Sequence, residues 1–512
     1  MMKQLKAIVS LLIIPFITVL PQVSKLYPND VEPILQKAKN NRKELETFLN
    51  YCKETNDSLK WKAACFLVSN MDIHYSETYY WADSLNHKVE YNELGYPNYS
   101  YAIKAFDDLR KTKKIHPVIS RVYDVDCIKS NFLIDNLNRA FKDWKSPQAK
   151  HLTFDEFCEY ILPYRDITEN LETWRPTYTD TFSIKDIQLR NNLSVRKATN
   201  LFNDKLRGYM VSSFGYENKN CPVSYLSPSQ LLFRQRGHCE DLVNFTLLAF
   251  KSQGIPCRID MTPYHATSTG RHYWNASIDE NHTPIPFEGS QESVEEFLMK
   301  REPSKVITLT YGRQPEALAS ILSESEIPNN YLRKTNYRDV TDQYWRTAGI
   351  KCQLSQTLGK KVAYIAVFNG LRWQPAFWGK LENNNEVTFP KMSCGVVYLP
   401  MLYHEGKLIP AGNPVLLDNN KEIHPFVPDK TKLQNITMEE QEKYLNFRAG
   451  KKYRLFYWDM GWKPAGTLQA TEQPRLIFEN VPSGSLYLMI PEYSEGKERP
   501  FEITPNGQRV WW

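Results

Sequence analysis

The pattern of apolar and polar residues divides the chain into three stretches. From about Asp30 to Leu206, apolar residues recur every three or four positions, as in "VEPILQKAKNNRKELETFLNYCK" and "SLKWKAACFLVSNM". That period is typical of helices with one buried face. Between Lys205 and Asn336, helical and strand-like patterns are mixed. Beyond Thr347, short apolar runs such as "KVAYIAVFN" and "GVVYLPMLY" are separated by Gly, Pro and Asn, which predicts β-sandwich modules.

The last stretch contains an internal repeat. The segment "LGKKVAYIAVFNGLRWQPAFWGK" parallels "AGKKYRLFYWDMGWKPAGTLQ", and the similarity extends over about 50 positions. Trp373 and Tyr398 match Trp462 and Tyr487 at one offset of 89 residues. Agreement in both residue type and register predicts two related β modules.

Length and composition support a folded protein with several domains. The chain has 512 residues, of which 42% are hydrophobic and 24% charged. One ordinary domain holds about 100 to 200 residues, so several cores are expected. The net charge of +6 is scattered, which argues against a nucleic-acid partner. We predict a multidomain α+β protein with an α-helical region, a mixed α+β core and two β modules, at residues 25–205, 206–340, 350–435 and 445–512.

The N-terminus has the features of an export signal. Two lysines precede a mostly apolar segment, residues 7–20, in "MMKQLKAIVSLLIIPFITVLPQVSK". This segment has the length of a secretory h-region and is short for a membrane span of about 20 residues. Residues 1–24 are therefore predicted to be a signal peptide, with an uncleaved N-terminal membrane anchor as the alternative. Either interpretation places the protein outside the cytoplasm, as a secreted, periplasmic or cell-surface protein.

The nine cysteines suggest reactive chemistry rather than cross-links. An odd number leaves at least one thiol unpaired unless chains are cross-linked. Their wide spacing fits neither a disulfide framework nor a C-x-x-C metal site. No phosphate loop, zinc ligand set or calcium loop is recognisable, so we expect neither a metal nor another cofactor. A free thiol in an exported protein is a candidate nucleophile.

Cys239 has the most distinctive surroundings of the nine. An apolar helical pattern follows it and is expected to end at Gly254, because Pro256 forbids continuation. Gly237 permits a tight turn into this helix, which places Cys239 in the first helical turn. Unpaired N–H groups and the helix dipole favour a thiolate there. The same N–H groups are suited to stabilise an oxyanion.

A second pattern, "TGRHYWNASIDENHTPIPFEGS", predicts a β-hairpin. The first strand runs over residues 271–278, the turn lies around 280–283, and the return strand passes through Phe287. A turn centred near position 280 or 281 sets His272 opposite Glu288 or its immediate neighbour. Facing Cβ atoms are roughly 5 Å apart, so a carboxylate there can accept the imidazole N–H and fix its tautomer.

Together these segments resemble the transglutaminase-like superfamily, a circularly permuted relative of papain-type cysteine proteases. The matching pieces are a G-x-C helix start ending at Cys239, the "GIPCR" stretch after its helix, an H-x-W strand from His272 to Trp274, and an acidic residue on the next strand. The resemblance covers Ser227 to about Lys305.

The resemblance implies a role for each member of a Cys-His-Glu triad. Cys239 would be the nucleophile, His272 the base and later the acid, and Glu288 the carboxylate that orients the ring. Glu288 replaces the more usual Asp, and Asp279 is the nearest alternative, although it lies on the same strand as His272 and on its opposite face. Trp274 and His265 are further candidates for substrate contact.

The implied reaction is acyl transfer at an amide bond through a thioester on the cysteine. Hydrolysis by a peptidase, an amidase or a peptide:N-glycanase-like enzyme is expected more than transfer to an amine, with a protein, peptide or glycopeptide as substrate. The alternative is a catalytically inactive protein that binds glycan or protein and uses the papain-like core as a scaffold. For Trp373 and Trp462 in the repeats, core packing is favoured over glycan stacking.

Overall fold

The computed structural model of the protein describes residues 27–184, 193–213, 219–440, 447–472 and 475–512. The predicted leader, residues 1–24, lies outside these ranges. Within them, no helix combines the length and the apolar character needed to cross a bilayer.

The N-terminal region is built mainly from helices, most of which share one core. In the helix Arg42–Glu54 the buried residues Leu45, Phe48, Leu49 and Cys52 follow the spacing of a single face, as predicted. The helices are α1 (Glu32–Lys37), α2 (Arg42–Glu54), α3 (Ser58–Ser69), α4 (Tyr99–Lys113), α5 (Asp124–Cys127), α6 (Ser130–Trp144), α7 (Phe154–Tyr160) and α8 (Trp174–Thr181).

This region also contains a sheet that the sequence analysis did not predict. Strand β1 (Tyr75–Ala82) lies between β2 (Lys88–Val89) and β3 (His116–Tyr123) and pairs with β3 along its whole length. The segment "YSETYYWA" is rich in aromatic residues, which suit strands. Its partner lies some 40 residues away, so a local periodicity could not reveal the pairing.

The central domain packs helices against a five-stranded antiparallel sheet. Its sheet order is β10-β9-β6-β7-β8. One helix, Cys239–Ser252, is buried at every position from Asp241 onward and contacts strands β6 and β7. The helices are α9 (Val195–Leu206), α10 (Pro228–Arg234) and α11 (Cys239–Ser252), and the strands are β4 (Val211–Ser212), β5 (Arg236–Gly237), β6 (Cys257–Thr262), β7 (His272–Ile278), β8 (Pro284–Phe287), β9 (Ile307–Leu309) and β10 (Tyr337–Asp339).

The first C-terminal module combines a strand pair, β11-β14, with a sheet of order β13-β12-β15-β17-β18. Strand β16 pairs with β15 outside that order. The strands are β11 (Thr347–Gln353), β12 (Val362–Asn369), β13 (Arg372–Lys380), β14 (Glu386–Ser393), β15 (Val396–His404), β16 (Lys407–Pro410), β17 (Val415–Leu417) and β18 (Ile423–Pro425).

The second module has the same plan, as the sequence repeat predicts. A strand pair, β19-β22, accompanies a sheet of order β21-β20-β23-β24-β25. Bulges fall at equivalent sites, with Ala376 as the extra residue in the first module and Ala465 as the extra residue in the second. The expected limit of module 1 at residue 435 lies inside β19. The strands are β19 (Asp429–Glu439), β20 (Lys452–Trp458), β21 (Trp462–Gln469), β22 (Arg475–Ser483), β23 (Tyr487–Pro491), β24 (Pro500–Ile503) and β25 (Arg509–Trp511).

An aromatic cluster joins the two modules. The rings of Trp373 and Trp458 lie 5.6 Å apart edge to face, and those of Phe368 and Trp462 lie 5.7 Å apart. Both repeated tryptophans therefore pack between modules, as the core-packing interpretation favours. The buried Arg499 adds a polar link, since its guanidinium donates to the backbone carbonyl oxygens of Trp512, Phe368 and Ala266.

Candidate active site

Helix α11 begins at Cys239, as the sequence predicts. Its first turn is fixed by Asp241, whose carboxylate accepts the backbone N–H of His238 at 3.0 Å and that of Leu226 at 3.4 Å. A Cβ on Gly237 would lie 2.5 Å from the Cβ of Asp241, so only glycine fits there. The helix ends at Ser252, and Gly254 follows with a φ of +68°. These constraints fix the thiol at the first residue of the buried helix α11.

The half-buried thiol of Cys239 has an acidic neighbour. Its Sγ donates to Oε2 of Glu240 at 3.1 Å. The backbone N–H of Tyr273 favours the ionised sulfur and lowers the pKa of the thiol. Glu240 is held in turn by Arg271, whose Nε and Nη2 lie 3.0 and 2.8 Å from Oε1. The thiol, Glu240 and Arg271 thus form a chain of polar contacts.

This arrangement reverses the thiol acidity expected from the sequence. Burial, followed by the Glu240 carboxylate, raises the pKa of the Cys239 thiol to about 12, although the Tyr273 N–H and Arg271 oppose the shift. Burial would raise the pKa of the Glu240 carboxyl as well, but the thiol and Arg271 stabilise its ionised form and the pKa is lowered overall. The prediction of a lowered thiol pKa is wrong for this arrangement, because the helix terminus was considered without the carboxylate of the next residue.

His272 and Glu288 are brought together. Nε2 of His272 lies 2.7 Å from Oε1 of Glu288. Asn275 pairs with Phe287, so one further step of the ladder sets Trp274 opposite Glu288, and the imidazole reaches the carboxylate diagonally. The contact is the one expected, although the register differs from the directly opposed placement. A neutral ring that donates from Nε2 keeps Nδ1 as an acceptor.

Asp279, the alternative third member, has a different position. Its Oδ1 accepts the backbone N–H groups of Asn281 and Thr283 at 2.9 and 2.8 Å. These bonds close the turn between β7 and β8. Asp279 is therefore engaged in shaping the hairpin, at the opposite end of β7 from His272.

The thiol lies beside the strand that carries the imidazole. Tyr273, whose backbone N–H lowers the pKa of the thiol, is the residue after His272. Among the residues that the structure describes, no direct hydrogen bond or ion pair joins Cys239 to His272. The structure thus assembles the His272–Glu288 pair and sets the thiol next to it, but it directs the thiol proton to Glu240.

Two further candidates flank the imidazole. Trp274, predicted to contact substrate, is 1% exposed, and its ring lies 5.9 Å from that of His272 and 5.3 Å from that of Tyr344. Because Trp274 is buried, it cannot contact a substrate; its ring packs against the imidazole of His272 instead. The half-buried ring of His265 stacks on His272 at 6.3 Å. Burial, with Arg301 and His272, lowers the pKa of His265 to about 4, so this ring is neutral near pH 7.

Sequence reasoning missed Glu240 and Arg271. Glu240 follows the thiol directly, and Arg271 directly precedes His272. Both flank residues that the resemblance singles out, so adjacency was an available signal. The hydrogen bond between them depends on how α11 packs against the start of β7, and no local pattern specifies that packing.

Comparison with known proteins supports the resemblance. The family model described as Transglutaminase-like superfamily matches residues 193–288, a range that includes Cys239, His272 and Glu288. A crystal structure of red sea bream transglutaminase matches over 74% of this chain and 73% of that chain, at 8% identity and a TM-score of 0.21. That score is too low for its domain arrangement to be transferred. No curated protein matches the sequence significantly. Residues 193–288 therefore match a transglutaminase-like domain.

Proposed function

We propose that the transglutaminase-like domain is the catalytic unit of a cysteine-dependent enzyme that acts on amide bonds. Cys239 is the nucleophile, His272 the base and then the acid, and Glu288 the carboxylate that orients the ring. The observation that carries this proposal is the 2.7 Å contact between His272 and Glu288, on the strand that lies against a thiol at a helix N-terminus. Nucleophile, base and orienting carboxylate are the parts that covalent cysteine catalysis requires.

The proposed reaction has two halves. In the first, Nδ1 of His272 takes the thiol proton, sulfur attacks the amide carbonyl carbon, and the C–N bond breaks while the imidazolium protonates the leaving amine. In the second, the imidazole deprotonates a water molecule that attacks the thioester, the C–S bond breaks, and the thiol recovers its proton. The first-turn N–H groups of α11 are positioned at the end of the helix where an oxyanion is stabilised.

Glu240 gives the resting site a second acceptor for the thiol proton. In the described arrangement the S–H bond points to Glu240, so the proposed cycle requires the sulfur to turn from that carboxylate toward the imidazole. Arg271 keeps Glu240 ionised and paired. A substrate that draws Arg271 or Glu240 away would therefore favour the reactive arrangement.

The substrate we propose is a protein, peptide or glycopeptide, with water as the preferred acceptor. Its proposed place is outside the cytoplasm, because residues 1–24 have the composition of an export signal or membrane anchor. Glycan recognition by the β modules belongs to this proposal as well. The carriers would be surfaces other than Trp373 and Trp462, since both rings pack in the aromatic cluster between the modules.

A second candidate function is a catalytically inactive binding protein that uses the same domain as a scaffold. The observation that favours it is the 3.1 Å contact between the thiol and Glu240, which keeps the sulfur protonated. A scaffold has no need of a reactive thiol, and a neutral, hydrogen-bonded cysteine is stable in that setting.

Turnover on defined mixtures of peptides and glycopeptides separates the two functions. We expect the full chain to cleave a subset of amide bonds, with Cys239→Ala inactive and His272→Ala strongly impaired. Cys127→Ser is the matched control, because it alters another half-buried free thiol in the N-terminal region. Absence of turnover on every mixture, with peptide or glycan binding unchanged in Cys239→Ala, would favour the scaffold.

A further inference from the structure

We propose that a cavity lined by Arg271 and Tyr273, the two neighbours of His272, binds a carboxylate of the substrate, with Lys334 as its principal partner. This inference rests on the proposed function, because it names the class of substrate that the catalytic domain takes: a peptide or glycopeptide with a free carboxylate close to the scissile amide.

The cavity has a volume of about 610 Å³ and is built from several parts of the chain. The N-terminal sheet supplies Tyr75 and Glu77, and strand β7 supplies Tyr273. The segment around Lys334 closes another side, and Asn369 reaches in from the first β module. A cavity of this size accommodates a few peptide residues or a sugar unit.

The walls suit a ligand with both apolar and polar parts. Six tyrosines and the apolar side chains of Met261, Pro263, Ile307 and Leu309 line the space. Aromatic rings with hydroxyl tips offer apolar contact and hydrogen bonds to the same ligand. The tyrosines are Tyr75, Tyr225, Tyr264, Tyr273, Tyr331 and Tyr337.

Lys334 is the feature that selects an anion. The half-buried side chain lines the cavity, and its ammonium group makes no hydrogen bond or ion pair with any residue that the structure describes. Burial lowers its pKa, Glu77 opposes this, and Arg271 and Arg121 add to it. A half-buried cation with no hydrogen-bonded partner bears part of the desolvation cost of its charge, which a bound carboxylate relieves.

The remaining charges of the lining leave this role to Lys334. Glu77 is the one acid among the lining residues, and it already lies 3.7 Å from Arg121. Arg271 is the other lining cation, and its guanidinium forms an ion pair with Glu240. An incoming carboxylate therefore meets Lys334, which has no hydrogen bond or ion pair within the described ranges, and Arg271, whose partner it can displace.

Arg271 and Tyr273 connect the cavity to the chemistry. Cys239 and His272 do not line the space, but Tyr273 does, and its backbone N–H lowers the pKa of the Cys239 thiol. Arg271 lines the cavity and also holds the carboxylate that accepts the thiol proton. Occupation of the cavity by an anion would therefore loosen Glu240 and link substrate binding to release of the thiol.

Binding to the full-chain Cys239→Ala variant tests the inference without any need for turnover. The probes are acetyl-Ala-Glu-Ala-amide, with a side-chain carboxylate, acetyl-Ala-Gln-Ala free acid, with a C-terminal carboxylate, and acetyl-Ala-Gln-Ala-amide, with neither. We expect at least one acid to bind roughly 10- to 100-fold more tightly than the amide, as a charge-assisted hydrogen bond warrants. Which acid wins identifies the source of the carboxylate.

A matched pair of lysine variants assigns the preference to its residue. Lys334→Met, in the Cys239→Ala background, should abolish the difference between acid and amide. Lys300→Met, at an exposed lysine paired with Glu292, should keep it. Should Lys334→Met fail to fold, labelling of Lys334 by an amine-reactive ester provides the second readout, with protection expected from the acid peptide and none from the amide.

Each result has a defined meaning. Equal affinity for the three probes, no measurable binding of either acid, or a preference that survives Lys334→Met would overturn the inference. Turnover by the unmodified chain without acid preference would leave the proposed function standing and remove the carboxylate site. Acid preference in a chain that cleaves no amide would support the carboxylate site and contradict the proposed function.

Discussion

Replacing Glu240 by glutamine should make the Cys239 thiol more reactive. The substitution keeps the shape of the side chain and removes a carboxylate that lies 3.1 Å from Sγ. It leaves burial unchanged, and burial is the first cause of the raised thiol pKa. We therefore expect a thiol pKa below that of the unmodified protein but still above the ordinary cysteine value.

The size of the effect follows from the charge that is removed. Two unit charges about 4 Å apart repel by about 1 kcal/mol in water and about 4 kcal/mol at an effective dielectric constant of about 20. About 1.4 kcal/mol corresponds to a tenfold change in the acid dissociation constant, so the pKa of the thiol should fall by roughly one to three pH units. A lower pKa increases the fraction of thiolate, but each thiolate becomes a weaker nucleophile, with a Brønsted slope of about 0.4 to 0.5. The two effects together leave a net gain of roughly 3- to 30-fold in alkylation rate.

Iodoacetamide labelling, followed on the Cys239 peptide by mass spectrometry, measures this rate. Glu295→Gln is the control, because its carboxylate lies on the surface far from the thiol in sequence. Arg271→Gln should act in the opposite direction, since Arg271 lowers the thiol pKa. An unchanged or slower rate in Glu240→Gln would refute the view that Glu240 holds the thiol proton.

Four further predictions concern the triad, the module interface and acid–base linkage. Glu288→Gln should lower turnover roughly 100-fold or more with little change in thermal unfolding, because the imidazole loses its orienting partner; an unchanged rate would remove Glu288 from the triad. Arg499→Met should destabilise the protein by about 3 kcal/mol or more in urea unfolding, because three backbone carbonyls lose a charged donor; a loss under about 1 kcal/mol would show that water replaces those bonds. Trp458→Ala should cost about 3 to 5 kcal/mol and expose the link between modules to protease, whereas retained protease resistance would contradict a shared core. Burial raises the pKa of Asp143 to about 6, so between about pH 4 and 6 the folded state holds a proton that the unfolded chain releases, and the free energy of unfolding falls as the pH rises through that window. Asp143→Asn should lessen this fall by up to about 3 kcal/mol. Equal pH profiles of unfolding for the two proteins would refute the shift.

The sequence was most informative where structure is local. The helix from Cys239 to Ser252 was predicted from its apolar period, its glycine and its proline, all within 18 residues of one another. The hairpin that carries His272 was predicted from alternation around a polar turn, and the contact with Glu288 followed. The internal repeat indicated both β modules, because the two segments match in residue type and register.

It was least informative where distant segments meet. Strand β1 finds its partner β3 some 40 residues away, so its pairing left no local periodicity. The contact between Arg271 and Glu240 depends on the docking of α11 against β7, and it reversed the expected acidity of the thiol. Lys334 could not be singled out, because its cavity exists only once the N-terminal sheet, the core and a β module are assembled.

Intact-mass analysis of the full chain, quenched in acid during turnover of a peptide or glycopeptide mixture, shows directly whether Cys239 carries the acyl group. We predict an added acyl mass on Cys239 that hydroxylamine removes and that never forms in Cys239→Ala. The same mass should accumulate in Glu288→Gln if the second half-reaction is the slower one. Amide cleavage that persists in Cys239→Ala, or an acyl group found on any other residue, would contradict the prediction for Cys239.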